Sequence, residues 1–207
     1  MRNHPVDAAG LTLPDASWPP GKDAPGALET LRRFCNSSNP ENGAERFRDP
    51  VQLDAWLVGE GLDPVRADRA GLGRATRFRD HVRALAIANR DGRRDGSAFD
   101  ALVVCIGSGS LQLVVDSRGL TLAGRGRGVS ALLAHLASII VIAEADGSWV
   151  RLKACTNDHC RWMFYDHSKN ANGMWCSMQA CGQRHKAREY RARRAVVRPA
   201  VARQPVT

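Results

Sequence analysis

The chain has 207 residues, 43% of them hydrophobic and 25% charged, an ordinary balance for a folded protein with room for one medium domain and a small appendage. No uninterrupted apolar run approaches the ~18 residues of a membrane span, and the start Met1-Arg2-Asn3-His4-Pro5 lacks the apolar stretch of a secretion signal. A cytoplasmic protein with no membrane partner is therefore expected. The formal charge of +9 is concentrated: residues 150–207 hold 12 Lys/Arg against 3 acids, while residues 1–149 hold 18 of each. Such asymmetry points to an anionic partner for the last quarter; a solvated basic tail is the competing reading.

Residues 1–25, with Pro5, Pro14, Pro19, Pro20 and Pro25 and no apolar periodicity, read as disordered, Trp18 being the one residue there that could dock on something. Leu28, Leu31, Phe34 and Cys35 then recur at helical spacing. Asp49-Pro50-Val51-Gln52 reads as an N-cap, a proline at the first helical position and a capping-box Gln. The helix behind it would bury Leu53, Trp56 and Leu57 and stop at Gly61. Asp63-Pro64 opens a longer helix with Leu72, Ala75, Phe78, Val82 and Leu85 on one stripe, ending at Asp91-Gly92.

The period then changes. Leu111, Leu113 and Val115 alternate, and Ser117-Arg118-Gly119 turns into Leu120-Thr121-Leu122, a β-hairpin. Val129 to Glu144 is again a strongly apolar helix, broken by Asp146-Gly147. Gly124-Arg125-Gly126-Arg127-Gly128, between strand and helix, lacks the last glycine and the βαβ setting of a dinucleotide fingerprint and reads as an ordinary connection. The fold class is α+β: a mainly helical N-terminal domain with a small antiparallel sheet, then a four-cysteine knuckle and a basic C-terminal helix.

Cys155-x4-Cys160 and Cys176-x4-Cys181, fifteen residues apart, follow the spacing logic of a structural zinc site. Each pair forms a tight loop that aims two thiolates at one point, giving one zinc four sulfur ligands. Disulfides, a redox pair and an iron–sulfur cluster are the alternatives. A saturated shell leaves no position for a reactive water, and neither His-Glu-x-x-His nor His-x-Glu occurs. With no nucleophile–base pair or paired carboxylates, no enzyme is expected. His159 and His167 could replace a cysteine or face phosphate. Cys35 and Cys105 sit among apolar residues and read as small buried hydrophobes.

In the aromatic spacer, Phe164 and Trp175 are expected beside the metal, Trp162 on the Phe164 side and Tyr165 on the other. An exposed ring there could stack on bases, with core packing the competing reading. Asp166 and Ser168 look like turn-forming side chains. After Cys181 the composition favours a helix, with Arg184, Arg188 and Arg191 on one face and Ala187, Tyr190 and Arg194 on the next. Arginine suits bidentate phosphate and guanine contacts.

Two stretches carry a resemblance. Cys155-x4-Cys160-x3-Phe164-x-Asp166-x-Ser168, with Trp175-Cys176-Ser177-Met178-x2-Cys181-Gly182-x-Arg184-x-Lys186-Ala187-Arg188, resembles the CGNR zinc finger family. There the finger follows an ABATE domain, whose start resembles Pro25-Gly26-Ala27-Leu28-Glu29 and whose later helix resembles Leu53 to Leu62. The naming motif ends Cys-Gly-Asn-Arg; here Gln183 replaces the Asn. The finger is also uncharged at Asn172-Gly173-Met174, where the family tends to be basic. The resemblance implies a bacterial, cytoplasmic, stress-related transcription regulator that binds DNA through the finger, with Cys155, Cys160, Cys176 and Cys181 as zinc ligands.

The resulting expectation is a disordered segment (1–25), an ABATE-like regulatory domain (26–150), a CGNR-type finger (151–195) and a flexible tail (196–207). Gln183, Arg184, Lys186, Arg188, Arg191, Arg193 and Arg194 would contact DNA, Gln183 and Arg184 reading bases. Four to six phosphate contacts would give a slope of log affinity against log salt of about −4 to −5. A homodimer through the body and a small-molecule effector of the N-terminal domain stay open as further partners. The alternative function is a zinc-stabilised protein-interaction module or small-molecule sensor.

Overall fold

The computed structural model describes residues 19–117 and 119–197, the side chains of 116 and 195–197 excepted. The expectations for residues 1–18, Trp18 included, and for 198–207 lie outside the described residues. Among the described residues, six α-helices and three two-stranded antiparallel sheets make up the fold.

Helix α1 (Ala27–Cys35) turns Leu28, Leu31, Phe34 and Cys35 inward, as their spacing requires. A short hairpin follows, β1 (Ser38–Asn39) with β2 (Ala44–Glu45). Helix α2 (Pro50–Gly59) is capped by Asp49, whose carboxylate accepts the Gln52 N–H at 2.9 Å, and it buries Leu53, Trp56 and Leu57. Phe34 and Phe47 each meet Trp56 edge-on, with centroids 5.7 and 5.4 Å apart, a geometry aromatic quadrupoles favour, and lie tilted against each other at 5.5 Å.

Helix α3 (Arg69–Arg90) buries Ala75, Phe78, Val82 and Leu85 but begins later than Asp63-Pro64 suggests. Its cap is Asp68, whose Oδ1 accepts the Gly71 N–H at 2.6 Å. Upstream, the Asp54 carboxylate takes the N–H groups of Val65 and Arg66, and Arg66 has φ +49°, so residues 62–68 cannot join the helix. Helix α4 (Gly96–Ile106), unforeseen in the sequence, is capped by Asp95 and buries Ala98, Leu102 and Cys105.

Strands β3 (Ser110–Asp116) and β4 (Gly119–Arg125) form the expected hairpin. Its root lies on helix α5 (Gly128–Ala145): a Cβ at Gly124 would stand 2.0 Å from the backbone nitrogen of His135, so only glycine allows the approach. By length and composition α5 is apolar enough to cross a membrane. Counting uninterrupted apolar residues misses this because Ser130, His135, Ser138 and Glu144 break the run. Yet 61% of the helix is buried, with Leu132, Leu133, Leu136, Ile139 and Ile140 in the core, the position of a core helix.

A 3₁₀ turn (Trp149–Arg151) leads into β5 (Leu152–Ala154), which pairs with β6 (Met163–Tyr165). A π-type turn (Met178–Gly182) runs directly into α6 (Gln183–Val197). Residues 19–25, expected to be disordered, instead pack on this part of the molecule. Ala24 belongs to the core, the Lys22 carbonyl accepts the Tyr165 N–H at 2.9 Å, and Asp23 pairs with the buried Arg32 at 2.9 Å. Proline and alanine give no periodic signal there, but β6 supplies a partner.

Candidate metal centre and nucleic-acid interface

The β5–β6 ladder stands between two cores. Leu152, Ala154, Met163 and Tyr165 pack into the helical body, whereas Trp162 and Phe164 form a second cluster with Cys155, Cys160, Cys176 and Cys181. This is the period-2 alternation of a strand with both faces buried. The rings proposed for base stacking are therefore interior: Trp162, Phe164 and Tyr165 are all buried. Asn36 completes the ladder like a missing strand, its amide giving and taking one hydrogen bond with the Met163 backbone, both 2.9 Å. On the other side Asn89 binds the Leu152 carbonyl at 3.0 Å.

Each cysteine loop is built from its own turn. In the first, the Asn157 carbonyl accepts the N–H groups of Cys160 and Arg161 at 2.8 and 3.0 Å. In the second, the Ser177 hydroxyl accepts the Ala180 N–H at 3.2 Å and its carbonyl accepts those of Cys181 and Gly182. Thr156 joins the two loops, its N–H and hydroxyl both donating to the Met174 carbonyl at 2.9 and 2.8 Å.

The four sulfurs lie within 4.8 Å of one another and are all buried. Cys160–Cys176 and Cys176–Cys181 each measure 3.7 Å. A tetrahedral zinc with Zn–S near ~2.3 Å places its sulfurs ~3.8 Å apart, so the spacing fits. Hydrogen bonding inside the cluster, from Cys155 first, and burial push the Cys160 and Cys176 thiols far above their ordinary value. The same bonds, donated by Cys155, Cys160 and Cys176, hold Cys181 far below it. Four such sulfurs can be thiolates together only around a cation. The Asn157 amide additionally lies 3.7 Å from the Cys181 sulfur, a contact of the kind that orients a ligand from outside the metal shell.

Behind the sulfurs, residues 166–173 are organised by a buried carboxylate. Asp166 Oδ2 accepts the Lys153 ammonium at 2.9 Å and the Gly173 N–H at 2.6 Å, and Oδ1 takes the Ser168 N–H at 3.1 Å. Lys153 also donates to the Ala171 carbonyl. Arg151 binds the carbonyls of Asp166 and Ser168 at 2.9 and 2.8 Å. A Cβ at Gly173 would stand 2.7 Å from the Asp166 carboxyl carbon, so the glycine at this uncharged place is steric. Burial opposes ionisation of Asp166, but Lys153 and the backbone donors outweigh it and hold the carboxyl well below the usual range.

Helix α6 leaves this platform at Cys181. Gln183, Arg184, Arg188 and Arg191, with Ala187, line one side of a groove of about 900 Å³; Asn157, His159, Gln179, Ala180 and Glu41 line the rest. Lys186 and Arg193 are exposed but at ~100° per residue fall on the opposite face. Arg194 caps Tyr190, 5.6 Å from the ring centroid and 3.3 Å from its hydroxyl. Arg184 is engaged with the body: it pairs with Glu41 and reaches the Cys181 sulfur at 3.6 Å. His159 opens on the groove, while His167 contacts the Asp23 carbonyl at 2.8 Å through Nε2. Neither histidine belongs to the sulfur cluster.

Family models match both regions. The model described as "CGNR zinc finger" covers residues 151–194. The ABATE model, described as "Putative stress-induced transcription regulator", covers residues 14–145, well over half of the chain. The chain belongs to the ABATE family. A search of curated proteins returned no match. In this ABATE protein the two matched regions follow the order expected from the motifs, and a zinc-finger match over four buried, clustered cysteines supports zinc binding. Sequence reasoning missed Asn36, Lys153, Asn157 and Glu41. Asn157 could have been found as the turn residue inside Cys-x4-Cys. Glu41 carried no signal, since 143 residues separate it from Arg184.

Proposed function

We propose that this ABATE protein binds a single structural zinc ion through Cys155, Cys160, Cys176 and Cys181 and uses helix α6 to bind duplex DNA as a cytoplasmic, stress-linked bacterial transcription regulator. When bound, the zinc neutralises the four thiolates and fixes the loop geometry. It has no reactive position, and the reading is of a binding protein rather than an enzyme. The observation that carries the DNA reading is the helix itself. Its first turn is clamped by Cys181, and from there it presents Gln183, Arg184, Arg188 and Arg191 on one side of a solvent-open groove. A presented arginine face is the electrostatic footprint expected of a phosphate-binding surface.

Three arginines on the groove side, or four with Arg194, give a slope of log affinity against log salt of about −3 to −4. That is shallower than the sequence count suggests because Lys186 and Arg193 face away. Metal analysis and duplex binding across a salt series test the reading, wild type against Arg188→Ala/Arg191→Ala. One zinc per chain, and a slope reduced by about 2 in the variant, support it. Binding that ignores salt and both substitutions would remove the DNA reading while leaving the metal site intact.

A further inference from the structure

The β3–β4 hairpin is the part of the body that its core leaves out. One face carries Leu111, Leu113 and Val115 from β3 and their cross-strand neighbours Leu120 and Leu122 from β4. Only the root is covered. Leu111, Leu113, Leu120 and Val115 are 40, 63, 70 and 80% exposed. This amounts to roughly 400–500 Å² of aliphatic surface, at the upper end of what a monomer leaves open. Two strands with an uncovered apolar face are marginal in water.

The ladder gives this face a direction. Asp116 and Gly119, three apart in sequence, form the last opposed pair of the ladder; an antiparallel pair that close must be the hydrogen-bonded kind, and hydrogen-bonded and open pairs alternate from there. The N–H and C=O groups of Leu111, Leu113 and Val115 therefore point away from β4. Among the described residues no strand pairs with that edge. The same three residues thus present both an aliphatic row and an open backbone edge, a template for another strand.

We propose that a second copy of this chain occupies this edge, β3 against β3, antiparallel about Leu113, to give a four-stranded sheet. A strand paired with itself about a twofold axis sets Leu111 opposite Val115 and Leu113 opposite its own copy. Every outward backbone group of the three residues then finds a partner. Charge permits the approach, because Ser110 to Val115 carries no charged side chain. Pairing joins the two aliphatic rows into one continuous face, on which neighbouring side chains shield one another across the new strand pair. Such a dimer carries two α6 helices in one particle, although it stands independently of what those helices bind.

Sedimentation equilibrium of the full, metal-loaded chain tests the proposal. A micromolar dimer is expected, and Leu113→Lys/Val115→Lys should make it monomeric while shifting the melting temperature by only a few degrees, since both side chains are largely exposed. Gln112→Lys, on the other face of the strand, should leave the dimer intact. A wild-type monomer, or a dimer that survives the double substitution, overturns the proposal. Should the double variant unfold, hydrogen exchange of the wild type decides. Amides of Leu111, Leu113 and Val115 that are protected at high concentration and exchange faster on dilution support the paired edge; fast exchange at every concentration overturns it.

Discussion

Asp166 carries much of the finger's order in a single carboxylate. It is fully buried against a Lys153 that is 4% exposed, and it receives two backbone N–H groups besides. Asp166→Asn keeps the shape but leaves the ammonium without its counter-charge. Breaking a buried pair in this way costs about 3–5 kcal/mol, to be read from urea unfolding. The pH dependence follows from the depressed carboxyl. Its stabilisation is complete above the unfolded value of ~3.9 and is lost as the pH falls toward the lower folded value. Acid also strips a thiolate site of metal, so the informative quantity is the gap between wild type and Asp166→Asn, which should narrow below about pH 4. A gap that stays constant through that window would show that the charge of Asp166 does not carry the effect. The sequence announced Asp166 only as a turn former. Its partner Lys153 lies on the neighbouring strand, where local pattern does not reach. Cys35, by contrast, was legible from its neighbours: burial raises its thiol to about 12, fitting the inert role its apolar setting suggested.

At the scale of elements, the strands and helices readable in the sequence are those whose burial is one-sided or periodic. α1, α2, α5 and the β3–β4 hairpin appear where their patterns place them. α4 was lost because Val103 and Val104, 68 and 78% exposed, blur the Ala98–Leu102–Cys105 stripe. The start of α3 was misplaced because a distant carboxylate, Asp54, holds the preceding loop out of helical geometry, with Arg66 at φ +49°. The join between finger and body is likewise non-local: Asn36 and Met163 are 127 residues apart. Asn36→Ala strands a buried N–H and C=O of β6, each worth about 1–3 kcal/mol when unsatisfied. A loss of about 2–4 kcal/mol in denaturant unfolding is therefore expected; less than 1 kcal/mol would mean that water reaches the strand. Helix α6 has a comparable long-range tie. Glu41 neutralises Arg184, the groove-side arginine nearest the metal loop. If the groove takes phosphate, Glu41→Gln removes a competing carboxylate from Arg184 and should tighten duplex binding several-fold. Unchanged binding would place Arg184 outside the interface.

For the molecule as a whole, the question is whether the finger is an appended module or a corner of one cooperative unit. The motifs suggested two parts, and the family models match two separate stretches, yet β6 belongs to both cores. Residues 19–25 lie against the same strand, and Arg90 of α3 reaches the Cys155 carbonyl at 3.4 Å. Nothing in this arrangement lets the cysteine loops unravel while Met163 and Tyr165 stay in the body core, because the strand that would be released is shared. Removing the metal should therefore weaken the body as well. The thiolates lose their common cation, Trp162 and Phe164 lose the wall they pack against, and β6 is free to detach from Asn36. In calorimetry, a chelator should move one unfolding transition to lower temperature, without splitting off a small early transition and leaving the main one in place. Metal binding acts here as folding free energy, and ligand-linked stability rises with the logarithm of free metal. A zinc titration should accordingly raise that single transition continuously. Two transitions, only the lower of which responds to metal, would show that the shared ladder does not couple the finger to the body.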